Sequence, residues 1–417
     1  MFVELHIVQN FPPSNLNRDD LGQPKDADFG GYRRARISSQ CLKRSTRYAG
    51  YNPDTSAKPV FAKYTGVPLS SRTKRIIAGL ASHLTDRSID KENAERAAKL
   101  FAEAYAKKQT DDGETPTLIF LSADEFGWAA RELATNWDAV LAAIQASEQK
   151  PPEDAKPAKG KKAKADKQET SIVTQLAEQL AKETAGRSSA PDIALFGRML
   201  ADRPSTNVNA ACQVAHAIST NSIAGRTPID YYTAIDDLKT DPGAGFLDVA
   251  YFNSACFYRY ARLDYAQLKT NLGVKDLQGN DLADLPLRTV EAFMRASEAA
   301  IPSGKKNAFA PECRPSFMLA VVREKESDGW SLVNAFQKPV NVHTKGEEDL
   351  VLASVKRLEK QFKHLMSFYG DETVKAIAVA LPDGTVEAED LGMDFRDNVK
   401  NMKDWVGTVC NELRKGG

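Results

Sequence analysis

Apolar and polar residues alternate from the first positions of the chain. Val3, Leu5 and Ile7 recur at period two, which predicts a strand over residues 2–10. Residues 11–36 carry prolines, a Gly-Gly pair and many charges, and read as a long loop. Ser38 offers an N-cap to a basic helix over 38–49. From 58 to 190 the spacing of alanine and leucine predicts helices at 70–84, 90–108, 122–146 and 171–185. Residues 147–170 are rich in lysine and proline, lack large apolar side chains and cannot bury enough to order themselves, so they read as a surface loop. Strand-like composition returns over 192–263, strongest in 252–265. A helix at 285–300, a strand at 316–323, a helix at 347–369, a strand at 374–381 and a helical segment at 394–414 complete the pattern. Without the helical stretch the order is strand, helix, strands, helix, strand. That order predicts an α+β fold with a ferredoxin-like, modified RRM core and an inserted helical lobe.

Composition changes this picture little. The chain has 417 residues, 42% hydrophobic and 27% charged, as in ordinary globular proteins. Nothing approaches the roughly 20 apolar residues that span a bilayer, and the N-terminus lacks the pattern of a signal peptide, so a cytoplasmic protein without membrane contact is expected. Cys41, Cys212, Cys256, Cys313 and Cys410 are scattered without a CxxC pair and read as free thiols.

Charge matters through its distribution. Lys plus Arg equals Asp plus Glu at 56 each. Yet the stretch Arg18–Arg47 holds Arg18, Lys25, Arg33, Arg34, Arg36, Lys43, Arg44 and Arg47 against Asp19, Asp20, Asp26 and Asp28, an excess of four positive charges. A helix N-terminus near Ser38 and Ser39 presents backbone N–H groups, and Gln40 adds a donor. Lys43 and Arg47 share one helix face. Gly30 and Gly31 allow a backbone to approach a ligand closely. These features suit a clamp for a sugar-phosphate backbone. A basic helix facing solvent accounts for them equally well, and physics alone leaves both readings open.

NLNRDDLGQPKDADFGGYRRARISSQCLKR, with DIALFGRM (192–199), VAHAIST (214–220), DYYTAIDDL (230–238) and FYRYARLDYAQLKTNLG (257–273), resembles the CasC-type backbone subunit of the type I-E CRISPR Cascade. The resemblance implies a right-hand shape. Residues 1–57 and 214–417 would form the RRM-like palm, 58–213 the helical fingers, and a hairpin at about 225–250 the thumb. It implies copies stacked head to tail along a guide RNA, with other Cascade subunits, presenting the guide for pairing with a target DNA strand. Lys25, Ser38, Gln40, Lys43 and Arg44 match RNA-backbone contacts, and Arg18 and Arg47 join them on the basic stretch. Met199 resembles a finger residue that wedges against nucleic acid, and Tyr232 and Thr233 the thumb-tip pair at a kink in the RNA. Ordinary core packing is the competing reading for Met199 and Tyr232. Lys161, Lys162 and Lys164 lie where relatives carry a lysine-rich element that engages DNA. Pro151, Pro152, Pro157 and Gly160 break any helix there, so a solvated loop is the alternative.

Catalytic patterns are missing from the sequence. His6, His83, His216, His343 and His364 form no HExxH, and no GxSxG, P-loop or dinucleotide fingerprint occurs. His216 lies among apolar residues and reads as a core or turn histidine. The enzymatic rival is a nuclease holding Mg²⁺ on Asp19, Asp20, Asp26 and Asp28. The alternative is that these acids pair with neighbouring arginines and orient the loop. The expectation is a non-catalytic protein without metal or cofactor.

Overall fold

The period-two run at the N-terminus does not stop at residue 10. It continues to Ser14 as a 13-residue strand, β1 (Phe2–Ser14), with Phe11 buried. The computed structural model describes the chain apart from residues 53–54, 56, 109, 111–112, 149–170, 224–228, 234–246, 274–283, 325–327, 342–348 and 417. Lys161, Lys162, Lys164, His343 and the tip of the expected thumb therefore lie outside the described residues. The chain divides into two compact units: Met1–Gly66 with Cys212–Ala266 and Leu287–Gly417, and Val67–Ala211 with Gln267–Pro286.

In the first unit β1 is followed by β2 (Asp26–Phe29), β3 (Tyr32–Ile37) and α1 (Ser39–Arg47). Then come β4 (Cys212–Val214), β5 (Ala217–Ser219), β6 (Ile229–Thr233), β7 (Leu247–Tyr251), β8 (Asn253–Asp264), α2 (Leu285–Ala299), β9 (Phe317–Arg323), α3 (Leu350–Tyr369), β10 (Val374–Ala380) and α4 (Met402–Lys415). One sheet runs β10-β9-β1-β8-β5-β3-β2, with β4 also on β8, and its neighbours pair antiparallel. Taking β1, β4/β5, β8 and β9 as first to fourth in the chain, their spatial order is fourth, first, third, second. β6 and β7 form a separate antiparallel pair.

Both faces of the central strands are covered. Leu5 and Ile7 line a shared cavity with Leu42 and Thr46 of α1 and Phe293 of α2. On the other face Val8, Tyr258, Leu319 and Val321 pack with Val355, Leu358 and Phe362 of α3. Each such apolar side chain removed from water stabilises the fold by roughly 1.5–3 kcal/mol. That second face also holds a polar network. Glu4 pairs with Arg323 at 2.6 Å and accepts from Tyr260 Oη and the Trp330 N–H at 2.7 Å each. Tyr258 Oη accepts from the Leu332 N–H at 2.9 Å and is hydrogen-bonded to His6 Nδ1 at 2.8 Å. Burial pushes the His6 pKa down to about 4, so the ring is neutral at pH 7.

The second unit is helical: Ile76–Thr85, Lys91–Ala106, Ala123–Thr135, Trp137–Glu148 and Ile172–Glu183 surround Phe101, Leu133, Leu176 and Leu180. Asn271 ties Gln267–Pro286 to it, donating to the carbonyls of Ala194 and Asn209.

Several expected boundaries are corrected. The stretch 11–36 is not one loop, because it contains the end of β1 and the β2–β3 hairpin. The helix expected from residue 70 is preceded by a strand, Ser71–Thr73, paired with Ile119–Leu121. The helix expected over 122–146 breaks at Asn136, whose side chain donates to the Glu132 carbonyl. A short helix, Pro191–Phe196, opens the segment expected to be strand-like. The final helical segment divides before Asn401, which caps α4 through the Asp404 N–H.

Candidate nucleic-acid interface

The loop before the basic helix is built around Asn17. Its Oδ1 accepts from the Ser38 N–H at 2.9 Å, and its carbonyl accepts from the Lys25 N–H at 2.8 Å. One residue thus sets the start of α1 through its side chain and the approach to β2 through its carbonyl. Asp19 Oδ1 accepts from the N–H groups of Leu21 and Gln23, closing a turn that exposes Arg18. Leu16, Asn17, Arg18, Asp19, Asp20 and Gly22 line, with Gly304, an open polar recess of about 430 Å³.

Ser38 is the N-cap of α1, with its hydroxyl accepting from the Cys41 N–H at 3.3 Å. The hydroxyl oxygen thus serves the helix as an acceptor, and the residue is buried. Leu42 and Thr46 turn into the unit, which leaves Gln40 and Arg44 exposed and Lys43 and Arg47 half-buried. α1 itself contains no acidic residue.

The glycine pair has a different role from the one expected. Gly30 and Gly31 form the two-residue turn of the β2–β3 hairpin at φ +62° and +82°, values that L side chains rarely adopt. A Cβ on Gly30 would stand 2.0 Å from the Gln337 carbonyl oxygen. The close approach is to the protein's own backbone. Arg34 is likewise spent inside the fold, donating to the carbonyls of Ser219, Thr220, Phe336 and Gln337.

β3 pairs with β5 so that Arg36 faces Ile218, and this brings His216 alongside Arg36. Arg36 Nη1 lies 3.1 Å from His216 Nδ1. Arginine only donates, so His216 accepts there as a neutral ring. Partial burial, then Arg36 and Lys25, hold its pKa below the ordinary value. Lys25 and Arg36 thus gather positive potential beside the neutral His216 ring. Sequence reasoning read His216 as a core or turn residue. It stands between β4 and β5, which pair with the same strand, and it is exposed. No local signal could have found this pairing, since it depends on the β3–β5 register.

Two of the four loop acids serve the structure. Asp26 pairs with Arg33, accepting from Nε at 2.8 Å, and Asp19 closes its turn. Among the described residues, no group of three or more His, Cys, Asp or Glu side chains is placed to hold a metal ion.

Met199 belongs to the second unit and is 84% exposed, which removes core packing as its explanation. Its neighbours fix it. Buried Arg198 pairs with buried Glu125 at 2.6 Å and donates to the Thr206 carbonyl at 2.9 Å. The Leu200 N–H donates to Asn207 Oδ1 at 2.7 Å. Tyr232 and Thr233 stand on β6, in register with Asp248 and Leu247 of β7, and their side chains lie outside the described residues. Arg18, Lys25, Ser38, Gln40, Lys43, Arg44 and Arg47 are thus brought together on one loop and helix of the first unit.

Fold and site define an α+β protein that presents a cationic loop and helix beside a sheet covered on both faces. The chain belongs to the Cas_CT1975 family of CT1975-like proteins, whose model matches residues 3–406. It is similar to a solved chain of a "CRISPR RNA-guided surveillance complex, pre-nicking", at 26% identity and a TM-score of 0.75, over 98% of this chain and 99% of that one. A chain of a "CRISPR RNA-guided surveillance complex" shares its fold at 23% identity and a TM-score of 0.67, over 99% of each chain. Among curated proteins none matches. Among the described residues no helix is long and apolar enough to cross a membrane.

Proposed function

We propose that this chain is a non-catalytic, RNA-binding subunit of a CRISPR surveillance complex, acting in antiviral defence. Copies stack head to tail along the guide RNA as the backbone of a type I-E Cascade, with other subunits, in the cytoplasm. The guide is held for pairing with target DNA. The observation that carries this reading is the acid-free helix α1, with Lys43, Arg44 and Arg47 beside the Lys25–Arg36–His216 cluster. The order of β1, β4/β5, β8 and β9 is that of a ferredoxin-like core, which supports the RRM-like palm. An RRM stacks bases on its sheet. Here α1, α2 and α3 cover the sheet, so the RNA runs over α1 and the 17–25 loop instead.

In this reading Arg18, Lys25, Gln40, Lys43, Arg44 and Arg47 contact RNA phosphates, and Ser38 orients the helix that carries them. Met199 forms a finger wedge, and Tyr232 and Thr233 on the β6–β7 thumb meet the RNA kink. The test is purification of the full chain with its partner subunits and a CRISPR array. A discrete guide-length RNA, recovered with several copies of this chain, is expected. A chain that emerges monomeric, free of RNA and unable to bind an added guide would overturn the reading.

A further inference from the structure

We infer that the end of α1 carries a stacking platform for a base of single-stranded RNA, built from Tyr48, Tyr51 and the guanidinium groups of Arg44 and Arg47. The inference rests on the RNA-binding reading and adds to its phosphate contacts a place for a base.

The backbone there is pinned. The Tyr48 N–H donates to the Arg44 carbonyl at 3.1 Å and the Tyr51 N–H to the Tyr48 carbonyl at 3.0 Å. Ala49 turns inward, 5% exposed, and its carbonyl accepts from the Val60 N–H at 2.8 Å. Gly50 sits at φ +71°, where an added Cβ would stand 3.0 Å from Val60 Cγ2. With Ala49 inward and Gly50 in the left-handed region, both tyrosines reach solvent, Tyr48 36% and Tyr51 49% exposed.

Their rings lie 6.0 Å apart at 60°, so they form a notch rather than a closed stack. The guanidinium carbons of Arg44 and Arg47 each lie 5.3 Å from the Tyr48 ring centre. Both distances fall within the roughly 6 Å range of a cation–π contact, so the two arginines and the Tyr48 ring form one cationic aromatic surface. Tyr and Arg also mark protein interfaces. The surrounding charge favours RNA, because Lys43, Arg44 and Arg47 line the approach on a helix without an acid. A base on the tyrosines leaves its phosphate within reach of these cations.

The test uses the full chain and a guide-length single-stranded RNA carrying 5-iodouridine. Irradiation is expected to crosslink Tyr48 or Tyr51, mapped by mass spectrometry. In parallel, Tyr48→Leu with Tyr51→Leu is expected to lower affinity by roughly 5- to 100-fold at every salt concentration. The salt slope stays unchanged, because stacking releases no counterions. Tyr48→Phe with Tyr51→Phe is expected to retain wild-type affinity. Crosslinks confined to other residues, with wild-type affinity in the Leu variant, would overturn the platform. So would a Leu variant that loses self-association but keeps its RNA affinity, since the tyrosines would then be a contact between copies. Wild-type protein that binds no RNA would instead overturn the function beneath it.

Discussion

Replacing His6 tests the buried network on the α3 side of the sheet. The His6 ring is hydrogen-bonded to Tyr258 Oη through Nδ1, lies among Glu4 and Arg323, and its Nε2 has no hydrogen-bond partner among the described residues. A second proton on the ring would meet desolvation first and the Arg323 charge as well, and the attraction of Glu4 does not offset them. The group titrates from 6.5 in the unfolded chain to about 4 in the fold. Between those values the unfolded chain binds the extra proton, so stability is fully present above 6.5 and falls as pH drops toward 4. The span is worth roughly 3 kcal/mol, most of it above about pH 4.5. His6→Phe removes this dependence. At neutral pH it costs about 1–3 kcal/mol, because Tyr258 loses a buried hydrogen-bond partner. Hydrogen exchange of the β1 amides, corrected for intrinsic rates, gives the opening free energy at about pH 7 and about pH 4.5. The wild-type value should fall between these conditions while the variant stays nearly level. An equal fall in both would show that another group titrates and refute the argument.

Arg198→Ala should destabilise the second unit by about 3–5 kcal/mol, read by urea unfolding, because Glu125 is left buried and unpaired. Met199→Ala, at an 84% exposed position, should leave that stability within about 0.5 kcal/mol of wild type. Lys43→Ala with Arg47→Ala should weaken RNA binding without sequence preference and flatten the salt slope by about 0.7 per lost phosphate contact, measured by titration over a salt series. Gly30→Ala should lower the melting temperature of the first unit, since its Cβ meets the Gln337 carbonyl and no side-chain rotation relieves that clash.

Local chemistry was legible in the sequence wherever an element's identity depends on its own residues. The alternation of Val3, Leu5 and Ile7 marked β1, and Ser38 marked the start of α1. The helix expected over 347–369 is found as Leu350–Tyr369. The basic content of residues 18–47 marked the candidate interface, because charge can be counted without knowing the fold. The family resemblance, too, was carried by runs of residues read in order.

Tertiary structure decided what each of those charges does. Arg34 and Arg36 are two residues apart on one strand and look alike in sequence. Arg34 is consumed by four carbonyls, while Arg36 meets His216 across the β3–β5 pairing. Asn17 looks like a loop residue until its side chain is found holding the start of α1. The covering of both sheet faces, and the packing of Gln267–Pro286 with residues 67–211, likewise follow from long-range contacts. The physical reason is common to all of them. Propensity, capping and periodicity act over a few residues, whereas burial and hydrogen-bond partnership are set by segments far apart in the chain.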